Sequence, residues 1–165
     1  MKDYTLLSFS DLSTLMQQPH QDMNLVFAYC EKALTSTQGA NPQAVLIAVQ
    51  QHIRPLMDMG QPERLAWILL SIPHFNGGVH PLYYLRLASV LESKYSNDYA
   101  ARLYRRVYDI NPSQPDSEAA LYRLARLTET AFGNQQQAYG IYMEMLRLFP
   151  NGAMALEVRT RFQIR

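Results

Sequence analysis

Apolar residues recur along this chain at the i, i+3, i+4, i+7 spacing of a helix with one buried face, and no segment alternates at the period of a strand. That pattern predicts an all-α protein. Near the N-terminus Ser10 is placed to cap a short helix with Leu12, Leu15 and Met16 inward, ending near Pro19. Asp22 opens a stronger helix whose stripe is Met23, Val26, Phe27, Cys30, Ala33 and Leu34, and Thr35 to Gly39 reads as a loop. Asn41-Pro42 is a cap followed by a first-turn proline. Beyond it Val45, Ala48, Val49, His52, Ile53 and Leu56 share one side. Pro55 has no N–H to donate and should kink or split that helix. Gly60 ends it and Pro62 begins the next, where Leu65, Ile68, Leu69 and Ile72 form a stripe stopped by Pro73.

From residue 81 the pattern becomes a tandem. Tyr84-x2-Leu87-Ala88-x2-Leu91 is followed by Ala100-x3-Tyr104 and Pro112; Leu121-x2-Leu124-Ala125-x2-Thr128 is followed by Ala138-x3-Tyr142 and Pro150. The copies are offset by 37 residues in the first helix and 38 in the second. Small residues on both helices (Ala88 and Ala100, Ala125 and Ala138) allow a close crossing, and Tyr104 and Tyr142 fill the space one turn further along. Asp116 or Ser117 is placed to cap the helix of the second copy, with Glu118 supporting its positive end, and Phe132-Gly133-Asn134 makes its internal turn.

This spacing resembles the tetratricopeptide (TPR) repeat, W-x2-L-G-x2-Y…A-x3-F…P. The resemblance implies an all-α, TPR-like solenoid of three to four antiparallel helix hairpins with a C-terminal capping helix. As one helical-repeat domain over 1–165 it would have irregular N-terminal helices (1–41), a degenerate repeat (42–73), TPR-like repeats (81–112 and 118–150) and a capping helix (153–165). The degenerate repeat is expected because Leu65 and Leu69 precede Ala100 and Tyr104 by 35 residues. In the capping helix Ala155, Val158 and Phe162 would cover Tyr142 and Met145, with Arg159, Arg161 and Arg165 outward. Phe149-Pro150-Asn-Gly-Ala and Ala120-Leu-Tyr-x-Leu-Ala125 also resemble the bacterial-type TPRs of envelope proteins, which implies a hairpin style and not a location.

Composition narrows the function classes. Of 165 residues 48% are hydrophobic and 18% charged, which suits a packed core, and the formal charge of +1 gives no global pull toward nucleic acid or anionic lipid. A single cysteine, Cys30, excludes an internal disulfide, and its place in an apolar stripe predicts a buried, inert thiol. The first twenty residues show no basic start, apolar run or small-residue cleavage site, and no apolar run approaches the roughly 18 residues of a membrane span. These features predict a cytoplasmic protein without membrane insertion; a soluble domain of an envelope-associated protein is the alternative.

Chemistry is sparse. Asp58, Glu63, Glu92, Asp98, Glu129 and Glu144 read as single acids at helix surfaces or caps, and no nucleophile elbow, HExxH or Walker pattern occurs. The sequence therefore predicts no enzyme, no cofactor and no metal. His74 and His80 lack a third ligand, and Gly77-Gly78 lacks the following Lys-Ser or Lys-Thr of a phosphate loop. Arg102, Arg105 and Arg106 alternate with Tyr104 and Tyr108, a pattern open to an RNA-binding adaptor, but the repeat claims Tyr104 for the core and acids flank the arginines.

What remains is the face made by the first helix of each copy. Leu85, Arg86 and Ser89 in the first copy and Tyr122, Arg123 and Arg126 in the second are the expected partner-binding groove. Leu85 and Ser89 stand where chaperone-tail clamps of the TPR family need Lys and Asn, so that role is unsupported. An apolar, aromatic and arginine groove suits an extended or helical peptide with an acidic group. The expected function is thus a protein–protein interaction module or scaffold, with a structural or self-associating (homo-oligomeric) domain as the alternative.

Overall fold

The computed structural model describes residues 3–19, 21–36, 41–73, 78–92 and 94–165. Among them every regular element is an α-helix, and no helix is long and apolar enough to cross a membrane. The helices are α1 (Phe9–Leu15), α2 (Met23–Thr35), α3 (Pro42–Asp58), α4 (Pro62–Ser71), α5 (Pro81–Leu91), α6 (Asn97–Ile110), α7 (Pro115–Thr130), α8 (Gln135–Leu148) and α9 (Ala155–Phe162). They group into two compact units, Met1–His80 and Pro81–Arg165.

In the first unit α2 is the central helix. It packs along α3 and also against α1 and α4, which is why Leu25, Val26, Phe27, Ala28, Cys30 and Ala33 are buried on more than one side. Leu12, Leu25 and Ala28 form a small core with Tyr4, Leu7, Leu15, Met16 and Tyr29 around it. The cap of α1 is Ser8 and not Ser10: Ser8 keeps extended backbone, so its Oγ can accept the Asp11 N–H at 3.1 Å, whereas Ser10 already lies within the helix. Asp22 and Asn41 cap α2 and α3 as expected. α3 runs unbroken through Pro55 to Asp58. Pro55 and Gln51, whose carbonyl loses its donor, both face solvent in the last turns, so water can replace the missing bond. Gly60 follows with φ +69°, the left-handed turn that favours glycine. α3 packs more extensively on α2 than on α4, so the pair expected over 42–73 has its main contacts elsewhere. Of the expected loop from Thr35 to Gly39, Thr35 closes α2 and residues 37–39 lie outside the described residues, as do His74 to Gly77.

In the second unit each helix packs against the next, and α5 also touches α7. The two sequence copies fold as α5 with α6 and α7 with α8. Ala88, Ala100 and Ala125 are fully buried and Ala138 nearly so, and Tyr104 and Tyr142 lie in the core. Replacing Ala100 by leucine should therefore overpack the unit and cost about 1–3 kcal/mol, measured as a lower urea midpoint at unchanged slope. A neutral result would mean that the α5–α6 contact has room to spare.

The α6–α7 connection departs from expectation. Pro115 takes the first helical position, so α7 starts three residues earlier than a Ser117 cap would place it and two earlier than an Asp116 cap would. Ser117 is instead fully buried, and its hydroxyl donates to the carbonyls of Asn111 and Val107 at the C-terminal end of α6, adding to the backbone N–H groups of Gln114 and Asn111 that they already accept. Glu118 is buried as well. Its carboxylate accepts the Met154 backbone N–H at 2.8 Å and fills the space that a Cβ at residue 152 would occupy, which explains Gly152. Gly133, at φ +64°, makes the α7–α8 turn, and Asn134 caps α8 through the Gln137 N–H. At the end of the chain Ala155 and Val158 of α9 are buried, while Phe162 meets Tyr142 and Tyr139 at ring distances of 5.2 and 5.3 Å.

Candidate functional site

Alternate helices of the second unit are joined by a three-residue link that occurs twice. Glu92, in the turn closing α5, pairs with Arg123 of α7 at 3.1 Å, and Arg123 Nε donates to the Tyr104 hydroxyl of the intervening α6 at 3.4 Å. One repeat later Glu129 of α7 pairs with Arg161 of α9, which donates to the Tyr142 hydroxyl of α8 at 3.1 Å. The spacings match those of the tandem: 37 residues from Glu92 to Glu129, and 38 from Tyr104 to Tyr142 and from Arg123 to Arg161. Burial pushes the Tyr104 phenol up to about 12, so it stays neutral and can donate while it accepts from Arg123. The Arg161 guanidinium holds Glu129 below the usual carboxylate range. The first unit contains a related pair between alternate helices, Glu31 of α2 with Arg64 of α4 at 2.5 Å. There the aromatic partner is Phe27 of α2 itself, 4.7 Å from the guanidinium.

The links organise the expected groove residues. Ser89 of α5 accepts a hydrogen bond from Arg123 at 3.2 Å, so these two are brought together. Leu85 is half-buried, and Arg86, Ser89, Arg123 and Arg126 are exposed. Tyr122 is only 9% exposed: it packs edge-on against Tyr142 at 6.1 Å and donates to Glu157 of α9 at 2.5 Å. Arg126 lies 6.0 Å from the Tyr122 ring. Tyr122 is thus a wall between helices more than a surface ring, and Arg123 is held in place by three neighbours.

Glu92 and Glu129, expected as single surface acids, are members of the links, and Glu144 pairs with Arg147 at 2.7 Å and accepts from Tyr108 at 3.1 Å. Arg161, expected on the solvated outside of the last helix, is tied to Glu129 and Tyr142. The signal for the links lies in the sequence: the glutamates recur at 37 residues and the arginines at 38, the offset of the tyrosines, whereas the Glu144–Arg147 pair has no counterpart in the first copy.

On the arginine–tyrosine helix most of the named groups have partners within the protein. Tyr104 is buried, Tyr108 is bonded to Glu144, and Arg106 lies beside Tyr84. Arg102 and Arg105 pair with Asp98 and Asp109 at 3.9 and 3.8 Å. Cys30 is fully buried, and desolvation raises its thiol to about 12, far from a thiolate at neutral pH. Among the described residues no three His, Cys, Asp or Glu side chains converge as a metal site would require. Compared with models of known families, with curated proteins and with solved structures, the chain matches none.

Proposed function

We propose that this protein is a non-enzymatic interaction module, a TPR-like stack of helix pairs that binds a partner peptide across α5 and α7. The observation that carries the proposal is the repeated Glu–Tyr–Arg link. A bond pattern that recurs with the sequence repeat ties α5 to α7 and α7 to α9 through the same three groups, which supports the kind of extended face that repeat proteins build. The first unit's Glu31–Arg64 pair is of the same kind.

Binding would use the exposed part of that face. Leu85 supplies apolar contact, and Arg86 and Arg126 supply guanidinium forks for an acidic side chain or a terminal carboxylate. Arg123, fixed by Glu92, Ser89 and Tyr104, presents charge at little entropic cost on binding. Tyr122 supports the face from beneath.

The test is a paired substitution. A partner is first captured from native extract, then titrated against purified wild type and Arg86→Glu/Arg126→Glu. The double variant should bind at least about thirtyfold more weakly, as expected for losing contacts worth about 2 kcal/mol, with its melting temperature within a few degrees of wild type. Tyr122→Ala should lower the melting temperature instead. Undiminished binding by the folded double variant would move the interface off this face.

A further inference from the structure

A different face of α7 lines a cleft of 390 Å³ between α6 and α8, within the size range of ligand sites. Leu124 and Thr128 of α7 form its floor, and lie roughly half a helical turn away from Tyr122 and Arg126. Arg102 and Arg105 stand on the α6 side, Ile141 on the α8 side, and Phe132, 48% exposed, closes one end.

The charge of this cleft has one sign. Its ionisable lining residues are both arginines, and no acid lines it. Their partners, Asp98 and Asp109, lie one turn away on the same helix at 3.9 and 3.8 Å, in pairs that are about half exposed or more. Such pairs hold their members weakly, so both guanidiniums can turn to a better acceptor. The other polar groups have local tasks. Thr128 donates to the Leu124 carbonyl, and Asn134 and Gln137 bond each other as the cap of α8. Each guanidinium also lies near a ring of its own helix, Arg102 at 5.9 Å from Tyr99 and Arg105 at 5.4 Å from Tyr108, contacts that leave its N–H edge open to a further acceptor. An occupant therefore has two features to match: carboxylates for Arg102 and Arg105, and an apolar side chain for Leu124, Ile141 and Phe132. Asn134 to Ile141 spans about 10 Å of helix, the length of about three extended residues.

We propose that this cleft docks a short extended peptide segment in which acidic residues alternate with large apolar ones. It would be a second site, independent of the α5–α7 face.

The probe is a fluorescein-labelled hexapeptide alternating glutamate with leucine, read by fluorescence anisotropy. Wild type should bind it saturably. Arg102→Glu/Arg105→Glu and, separately, Phe132→Ser should each weaken binding about tenfold or more with the helical spectrum unchanged, while Arg86→Glu/Arg126→Glu should leave it alone. That last arm separates this site from the α5–α7 face, whose failure would not touch this result. The proposal is overturned if the probe does not bind, if a peptide with lysine for glutamate binds as well, or if the Arg86/Arg126 variant loses it. It is equally overturned if a uridine hexanucleotide displaces the probe at the same concentration as unlabelled peptide, because the cleft would then read charge alone.

Discussion

Tyr104→Ala should cost about 3–5 kcal/mol, the usual penalty for removing a large aromatic side chain from a core. The expectation rests on two features at one residue. Tyr104 is fully buried, so its removal leaves a cavity among α5, α6 and α7. Its hydroxyl also accepts from Arg123 and lies beside Glu92, so the same change strips the link of its middle member. Tyr104→Phe separates the two contributions. It keeps the ring and leaves one hydrogen bond unmade, for about 1 kcal/mol. Urea titrations of both variants give the comparison. With single domains stable by about 5–15 kcal/mol, the alanine variant should lose a large share of its stability. A loss below about 1 kcal/mol for alanine would mean that the ring is dispensable and that the repeat does not pack around it.

Ending the chain after Gly152 should have an effect of similar size. The deletion removes Ala155, Val158 and Phe162, and uncovers Tyr142 and Met145, which are now buried. It also removes four polar ties: Glu118 to the Met154 N–H, Tyr122 to Glu157, and Arg161 to both Glu129 and Tyr142. Each uncovered large side chain forfeits about 1.5–3 kcal/mol of burial, and Glu118 keeps a buried carboxylate without its donor. The shortened protein should melt at lower temperature and scatter light as it aggregates, while the full chain runs as a monomer. A full-length dimer that becomes a stable monomer on truncation would assign α9 to an interface between copies. An equally stable truncated monomer from a monomeric parent would refute both.

The sequence made the helices legible because their determinants are local. Asp22, Asn41-Pro42, Gly60, Pro62 and Gly133 act within a turn of where they stand, and the 3.6-residue period names most buried positions. The tandem was legible because Ala100, Ala138, Tyr104 and Tyr142 repeat at a fixed offset. The bonds between helices were not, since periodicity sees one helix at a time. Glu118 looked like support for a helix start, yet its partner stands 36 residues away in a turn that only the packing of α7 and α8 brings near. Ser117 has the side chain of a cap, but Pro115 already fits the first helical position and starts the helix three residues before a Ser117 cap would. In the expected groove the register of Leu85, Arg86, Ser89, Tyr122, Arg123 and Arg126 was readable. The placement of α9 over Tyr122, which leaves that ring only 9% exposed, was not.

The Glu–Tyr–Arg link also bears on how such a chain can change length. The second copy supplies all three members: Glu129, which looks forward to Arg161, Tyr142, and Arg123, which looks back to Glu92. A duplicated segment of 37 or 38 residues brings all three, so its arginine finds the preceding glutamate and its glutamate meets the following arginine. Insertion or loss of one whole period leaves every link closed, whereas a fractional period strands a carboxylate and a guanidinium in half-buried positions. Growth by whole modules is therefore the tolerated route, and the grammar that permits it resides in three side chains.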